Sequence, residues 1–284
     1  MAEKGKLYVV ATPIGNMEDL SPRALRVLAE ADFVLCEDTR VTGRLLSVCG
    51  QKKPLLSYHE HNKLQRGEDV IARLMSGESA AVVTDAGTPC VSDPGMELVA
   101  AAHESGIEVV AVPGPCAAAA AVSVSGIDCR RFVFEGFLEK DNASRRERLT
   151  VLAQETRPIV FYVSVHEYSR VVGELLENFG DRRVAVCREL TKLNEQTLST
   201  TLARLTDIGV TEKGEFVLVV AGADPDAEGF WSEMSIQEHV AWYVAQGKTG
   251  MEAMKLVAAE RRMPKSAVYR EINGKKQTET EEIS

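Results

Sequence analysis

Short apolar runs alternate with helical segments through the first part of the chain, and this alternation constrains the fold more than any other feature. Five such runs are KLYVVAT, DFVLCED, PLLSYH, AAVVTD and IEVVAVP. Strands that alternate with helices at this spacing form a parallel sheet with helices on both faces. The sequence therefore predicts an N-terminal α/β domain over about residues 1–122.

The pattern restarts at RFVFEGFLEK and continues through PIVFYVS, RVAVCREL, QTLSTTLARL and EFVLVVAG, which predicts a second α/β domain over 123–223. After the linker-like ADPDAEG, residues 224–284 contain three short segments with helical spacing. Eight Lys or Arg and three Asp or Glu occur between residues 245 and 276. This basic region fits equally a helix-turn-helix-like module and a dimerisation appendage.

Composition excludes several other classes of protein. The hydrophobic content of 45% and charged content of 26% are typical of a soluble globular protein. No window approaches eighteen consecutive apolar residues, and the first residues lack a signal-peptide pattern, so we expect a cytoplasmic protein without a membrane segment. The six cysteines form no CxxC pair, which predicts free thiols rather than a zinc site or a disulfide framework.

The stretch Thr84–Gly95, TDAGTPCVSDPG, follows the buried run Ala80–Val83 and contains no large side chain. Ligands of open α/β sheets bind at the carboxyl ends of strands, and glycines let the backbone approach them closely. We therefore predict that this loop lines a ligand, the alternative being a purely structural turn. Asp93 and Pro94 are predicted to be the N-cap and first residue of the following helix.

Three further loops end predicted strands, namely ATPIGN, CEDTR and VPGPCAA. Because none contains a G-x-G-x-x-G turn, and the chain has no P-loop, a ligand without phosphates is favoured. CEDTR places Glu37, Asp38 and Arg40 either against a substrate or at a solvated helix start. His59 and His61 share a strand face but have no apparent third ligand, so we predict no metal site there.

Together these motifs resemble the tetrapyrrole methylase superfamily and, within it, the branch that methylates the cytidine 2′-hydroxyl in 16S ribosomal RNA. The segments that carry the resemblance are LYVVATPIGNMEDLSPRAL, EDTRVTGRLL, YHEHN, VTDAGTPCVSDPG, VPGPCA, CRELTKLNEQ and GEFVLVVAG. They cover about residues 5–223, and the helical tail resembles that branch's C-terminal extension. The sequence departs from the branch at Val163 and Val165, where glutamate and proline are expected, and at Asn194, where histidine is common.

The resemblance implies two consecutive α/β domains of this type, with S-adenosylmethionine bound in the cleft between them, and a small C-terminal helical module. The implied cofactor positions lie in both domains. They are Pro13, Ile14, Ala86, Gly87, Thr88, Val91, Ser92, Cys116, Ala117, Tyr162, Val163, Arg188, Glu189, Leu190, Phe216 and Val219.

The resemblance also implies a homodimer that acts on 16S rRNA, in the 30S ribosomal subunit. Methyl transfer to a hydroxyl requires loss of its proton, so a general base is needed. The candidate carboxylates are Glu37, Asp38, Asp85 and Glu189, and the sequence does not rank them. The candidate RNA contacts are Arg23, Arg40, His59, His61, Lys140, Arg145, Arg146, Arg148 and Lys192. A methylase of small tetrapyrroles and a non-catalytic RNA-binding factor are the rival interpretations.

Overall fold

The computed structural model describes residues 4–59, 62–208, 214–224, 231–261 and 263–272, without the side chains of 63–65 and 206–208. His61, a predicted RNA contact, lies outside the described residues. Contacts divide the chain into two compact units, Met1–Ala223 and Asp224–Ser284. The first unit contains two sheets, and the domain boundary at residues 122 and 123 stays a prediction.

The first sheet is wholly parallel, as the alternating pattern predicts, with the strand order β3-β2-β4-β1-β5. Its strands are β1 (Lys6–Val10), β2 (Phe33–Cys36), β3 (Leu55–Ser57), β4 (Ala80–Val82) and β5 (Glu108–Val112). The helices that follow them are α1 (Pro22–Glu30), α2 (Thr39–Val48), α3 (Lys63–Met75), α4 (Met96–Glu104) and α5 (Ala117–Val124).

Alternate residues of the first sheet bury opposite faces against different helices. One cluster joins Val10 to the α1 residues Ala24 and Leu28, and the other joins Leu7 to Leu74 of α3, with Leu98 of α4 also in it. Because both faces are covered, the strands are mostly apolar, and the charged Lys6 and Glu108 at the starts of β1 and β5 pair with each other. The helix start at Ser21 is the predicted one, since its side chain accepts a hydrogen bond from the Ala24 backbone N–H at 3.0 Å.

The second sheet is mixed, with the strand order β6-β7-β10-β8-β9. Only β6 and β7 are parallel, and the other pairs are antiparallel. The strands are β6 (Val133–Phe137), β7 (Ile159–Val163), β8 (Arg183–Arg188), β9 (Gln196–Thr201) and β10 (Phe216–Val220). The helices of this region are α6 (Asn142–Leu152), α7 (Tyr168–Phe179) and α8 (Leu202–Ile208).

Helix α5 follows the last strand of the first sheet but packs on the second sheet. Its Ala118 and Ala121 lie in one buried cluster with Val160 of β7 and Val219 of β10. Alanine side chains let a helix approach a sheet closely. This packing brings the carboxyl-end loops of the first sheet next to β7 and β10.

The C-terminal unit contains α9 (Ile236–Ala245), α10 (Gly250–Glu260) and helical backbone at 265–272. Capping boxes at Ser235 and Thr249 start α9 and α10. Val240, Val257 and Val268, one from each helical segment, belong to a small core of its own. Within the described part of the chain, none of the helices has the length and apolar character needed to span a bilayer.

Candidate functional site

A cavity of about 350 Å³ lies in the first unit, where loops of the first sheet meet β7 and β10. Its volume falls in the range of roughly 300–1,000 Å³ that is usual for small-molecule sites. The predicted cofactor positions that line it are Ile14, Ala86, Gly87, Thr88, Val91, Ser92, Cys116, Ala117, Tyr162, Val163 and Phe216. It is also lined by residues that the sequence did not assign to the cofactor, namely Thr84, Asp85, Asp93, Phe137, Ser164, Glu215 and Val217.

The Thr84–Gly95 loop is tied to both neighbouring loops. The Thr12 backbone N–H donates to the Gly87 carbonyl at 2.8 Å, and the Gly87 N–H donates to the Thr12 carbonyl at 3.1 Å. On the other side, the Thr88 hydroxyl donates to the Pro115 carbonyl at 2.9 Å. Gly87 has a φ angle of +96°, a backbone conformation that glycine adopts with little strain because it has no Cβ atom. The loop is therefore a pre-formed wall of the cavity.

Strained backbone is concentrated in two loops beside this cavity. The non-glycine residues with left-handed φ angles are Cys90 and Ser92 in the first loop, and Glu189 and Thr191 after β8, among the residues described. Such conformations cost on the order of 1–3 kcal/mol each and persist where surrounding contacts enforce them. Gly136 allows the Ser92 side chain to pack closely against the backbone of β6. A Cβ atom at position 136 would lie only 2.6 Å from the Ser92 Oγ atom.

Asp93 is not the helix N-cap that the sequence predicts. Helix α4 begins at Met96, and its N-cap is Gly95, with a φ of +135°. The Asp93 carboxylate instead accepts a hydrogen bond from the Thr84 hydroxyl at 2.9 Å and lines the cavity. Burial raises the pKa of Asp93, and the nearby carboxylates of Glu37 and Asp85 add to the rise, while the Thr84 hydrogen bond opposes it.

Tyr162 joins the second sheet to the start of α5. Its phenol oxygen accepts a hydrogen bond from the Ala118 backbone N–H at 3.1 Å, which satisfies one of the free donors at the helix start. Burial raises the pKa of Tyr162 to about 12, so the phenol is neutral at physiological pH. Its ring meets Phe134 and Phe137 edge to face, at centroid distances of 5.1 and 5.5 Å. Phe137 is exposed and forms an aromatic edge of the cavity.

The polar part of the cavity wall is acidic. Asp85, Asp93 and Glu215 line it, and none of its described lining residues is Lys, Arg or His. Such a wall disfavours phosphate and favours a ligand with cationic groups. S-adenosylmethionine has a sulfonium and an ammonium group and no phosphate, so the residues present fit this cofactor.

A second cavity of about 330 Å³ adjoins the first. Among the described residues, Thr84 and Asp85 line both cavities. Pro13, a predicted cofactor position, lines only the second, together with Arg44, which the sequence analysis did not single out. The Asp85 carboxylate accepts the Asp38 backbone N–H at 3.3 Å. Asp85 is thus the titratable group at the junction of the two cavities.

The structure gives Asp38 and Arg40 a local role. Asp38 is the N-cap of α2, accepting the Arg40 backbone N–H at 2.8 Å. The Arg40 guanidinium also donates to both oxygens of the Asp38 carboxylate, and the shortest of these contacts joins Arg40 Nη2 to Asp38 Oδ2 at 2.6 Å. This side-chain hydrogen bonding lowers the pKa of Asp38 to about 2. Glu37 is exposed and lines neither cavity.

Glu189 and Lys192 form an ion pair rather than facing a ligand separately. The Lys192 Nζ atom lies 2.9 Å from carboxylate oxygens of both Glu189 and Glu215. The Lys192 hydrogen bond lowers the pKa of Glu189. Neither residue lines the first cavity, and neither does Arg188, whose Nη1 donates to Gln196 at 3.2 Å.

Leu190 and Val219, two other predicted cofactor positions, are buried in the apolar cluster under α5. They support the cavity from behind and do not line it.

Arg145 lies in the protein interior, which is incompatible with the predicted RNA contact. Its side chain is 2% exposed and lies 2.6 Å from Glu174 and 3.3 Å from Glu167. The helical period of α6 turns this one arginine inward while its neighbours Arg146 and Arg148 face outward.

The remaining predicted RNA contacts lie at or near the surface. Arg148 is paired with Glu135 at 2.6 Å, whereas Arg23, Lys140 and Arg146 are exposed without a carboxylate partner among the described ion pairs. His59 is half-buried, and its backbone N–H donates to the Asn62 side chain at 2.9 Å. The structure therefore leaves these positions as candidate contacts.

Residues 6–206 match the family described as Tetrapyrrole (Corrin/Porphyrin) Methylases. The chain belongs to the tetrapyrrole methylase family. S-adenosylmethionine is the methyl donor of this family, so the chain is an S-adenosylmethionine-dependent methyltransferase. The family resemblance and the two-sheet α/β fold expected from the sequence are both confirmed.

Curated relatives carry the name ribosomal RNA small subunit methyltransferase I. The chain is 43% identical to the one from Synechocystis sp., over 93% of this chain and 96% of the relative. It is 46% identical to the one from Xylella fastidiosa, over 95% and 99%, and 39% identical to the one from Bacillus subtilis, over 94% of each.

Solved structures share the fold at lower identity. A uroporphyrin-III-C-methyltransferase from Thermus thermophilus has a TM-score of 0.56 and 23% identity, covering 77% of this chain and 94% of that chain. A diphthine synthase has a TM-score of 0.58 and 15% identity, covering 76% and 90%. Both likenesses concern the fold alone.

Proposed function

We propose that the chain transfers a methyl group from S-adenosylmethionine to a cytidine 2′-hydroxyl in 16S ribosomal RNA. The observation that carries the proposal is the pair of adjoining cavities with Asp85 at their junction. One cavity suits a cationic methyl donor, and the other offers room for an acceptor beside it. The relatives named as ribosomal RNA small subunit methyltransferases, aligned over more than nine-tenths of the chain, support an RNA acceptor.

The cofactor would be held by groups from both halves of the first unit. The backbone of Gly87 and Thr88 forms one wall, Ile14 and Ala117 add apolar surface, and Tyr162 lies opposite. When bound, S-adenosylmethionine supplies an electrophilic methyl group on its sulfonium. The acidic side chains of the wall would bind the positively charged donor and orient it, which favours a near-attack arrangement.

Asp85 is the candidate general base in this proposal. Its carboxylate reaches both cavities, so it can accept the proton of a hydroxyl in the second while the methyl donor occupies the first. The Asp38 backbone N–H holds its orientation at 3.3 Å. The other three carboxylate candidates are less suitable, because Asp38 and Glu189 are committed to ion pairs and Glu37 lines neither cavity.

The RNA would enter over the second cavity. Arg44 lines it, and the exposed Arg23 belongs to the preceding helix α1. Phosphates are the natural partners of such cations. We further propose that the acceptor is presented by the 30S subunit, and that the enzyme acts in the cytoplasm as a homodimer. Sedimentation of the purified chain tests the dimer.

The experiment that tests the function compares Asp85→Asn with Asp38→Asn. Asparagine at position 38 keeps the helix cap and the backbone N–H, so it is the matched control. We expect Asp85→Asn to keep cofactor affinity in calorimetry and to lose about 10²–10⁴-fold in methyl transfer to 30S subunits, as loss of a general base does. Mapping of 2′-O-methylation along 16S rRNA identifies the acceptor nucleotide.

Two results would contradict the proposal. Normal methyl transfer by Asp85→Asn would remove Asp85 as the base. Methylation of a porphyrinoid precursor, with no methylation of purified 30S subunits by the wild-type chain, would replace the RNA acceptor by a tetrapyrrole.

A further inference from the structure

The C-terminal unit contains a groove of about 420 Å³ between α10 and the helical segment 265–272. Residues at three- and four-residue spacing place one face of each helix on this groove. Its lining residues are Met251, Met254, Lys255, Lys265, Ser266, Tyr269 and Arg270. The opposite face of α10, with Ala253 and Val257, is buried in the core of the unit. Of the groove-lining residues, Met254 also packs against this core, whereas Met251, Lys255, Lys265 and Tyr269 do not belong to it.

The charged residues that line the groove are all cations. Lys255, Lys265 and Arg270 line it, and its described lining includes no carboxylate. The two acidic residues of α10 are held elsewhere. Glu252 accepts the Thr249 backbone N–H at 2.9 Å in the capping box, and the Glu260 carboxylate accepts the Tyr243 hydroxyl at 2.5 Å.

This segregation of charge occurs in a chain whose formal net charge is −9. A local concentration of cations on an otherwise acidic protein attracts a polyanion to one place. A second copy of the acidic chain lacks the regular spacing of negative charge that RNA offers. Charge complementarity therefore favours RNA as the occupant.

Exposed apolar side chains accompany the cations. The Tyr269 side chain is 54% exposed and Met251 is 59% exposed. Tyr269 lies one helical turn after Lys265, so an aromatic face and an ammonium group share the same wall. Aromatic faces that alternate with cations are the arrangement that binds single-stranded nucleic acid, with bases stacked and phosphates paired.

One of the two helices that form the groove, α10, is held against α9 by a buried polar network. His239 is fully buried, with its Nε2 atom 2.8 Å from the Glu260 carboxylate. The Arg261 Nε atom donates to His239 Nδ1 at 3.2 Å. These contacts fix the end of α10 against α9. Val257 of α10 and Val268 of the segment 265–272 share the core of the unit, so the groove does not have to form on binding.

We propose that this groove binds a single-stranded segment of the ribosomal RNA substrate, with phosphates at Lys255, Lys265 and Arg270 and a base stacked on Tyr269. The inference rests on the proposed RNA-methylating function and adds a second RNA contact to it. Of the two roles that the sequence left open for the helical tail, the inference favours RNA binding over dimerisation.

The test uses the full chain and a fluorescent single-stranded fragment of 16S rRNA in anisotropy titrations at several salt concentrations. For the triple variant Lys255→Gln/Lys265→Gln/Arg270→Gln, we expect the slope of log K against log salt to fall by about 2, since each lost phosphate contact contributes about 0.7. Tyr269→Ala weakens binding by about tenfold through lost stacking. Cofactor affinity stays at the wild-type value for both variants. Lys248→Gln, an exposed cation of the same unit outside the groove, is the matched control.

The outcomes separate this inference from the proposed function. If the triple variant keeps the wild-type RNA affinity and the wild-type slope of log K against log salt, the groove assignment is overturned. It is also overturned if a groove variant binds RNA normally but no longer self-associates in sedimentation. If the groove variants lose RNA binding while the wild-type chain methylates no RNA, the groove is supported and the proposed function is refuted.

Discussion

Replacement of Arg145 by methionine tests the strongest correction that the structure makes to the sequence analysis. The side chain is 2% exposed and lies 2.6 Å from Glu174, and its Nη1 atom donates to the Glu139 carbonyl at 3.1 Å. Methionine preserves most of the apolar stem and removes the charge. The Glu174 carboxylate then loses its cation, whereas Glu167 keeps Arg170.

The magnitude follows from the burial of the pair. Removing one partner of a buried ion pair costs about 3–5 kcal/mol. The Glu174 side chain is 27% exposed, so water partly replaces the lost cation. We therefore expect a loss near the lower limit, about 3 kcal/mol. For a unit of this size, such a loss lowers the melting temperature by about 6–12 °C.

Urea unfolding followed by circular dichroism measures the free energy of unfolding of the variants. Arg146→Met, the exposed neighbour on the same helix, is the control and should stay within about 0.5 kcal/mol of the wild type. Arg145→Met/Glu174→Leu should recover most of the loss, because an apolar pair can replace a buried ion pair. If Arg145→Met unfolds like the wild type but binds RNA more weakly, the structural role assigned to Arg145 is refuted.

Three further predictions concern the cavity and its supports. Gly136→Ala should cost about 1–3 kcal/mol of unfolding free energy and lower cofactor affinity, because the φ angle of Gly136 is +72°, in the left-handed region. The control is Gly173→Ala, at a helical position with open space around it, which should stabilise the protein by about 1 kcal/mol. Tyr162→Phe removes the acceptor at the α5 start and should cost about 1–3 kcal/mol, with equal stability arguing against that bond. Lys192→Met should destabilise the protein at neutral pH but not in acid. The Lys192 hydrogen bond lowers the pKa of Glu189, so the ion pair stabilises the wild type above the ordinary glutamate pKa. The wild type loses this stabilisation as the pH falls through the lowered pKa. Unfolding curves at several pH values check this, and a difference that persists in acid would contradict it.

Several features could be predicted from a signal within a few neighbouring residues, although the local helix-start signal at Asp93 and Pro94 was misleading. The apolar runs and the Ser21–Pro22 helix start predicted the strands of the first sheet and the start of α1. The glycines and prolines of Thr84–Gly95 indicated a ligand-lining loop, and the missing phosphate-binding turn agrees with the acidic cavity wall. These features depend on local backbone preference and hydrophobic periodicity, which the sequence contains directly.

Other properties were decided only by the tertiary structure. Asp93 hydrogen-bonds to Thr84 instead of capping α4, and Arg145 pairs with Glu174, twenty-nine positions away, instead of facing RNA. The mixed direction of the second sheet and the packing of α5 on it place Tyr162 beside the loops of the first sheet. Likewise, Asp85 lies at the junction of two cavities because distant loops converge there. Burial and the partners of a charged group depend on which distant segments pack against it, so local sequence pattern does not determine them.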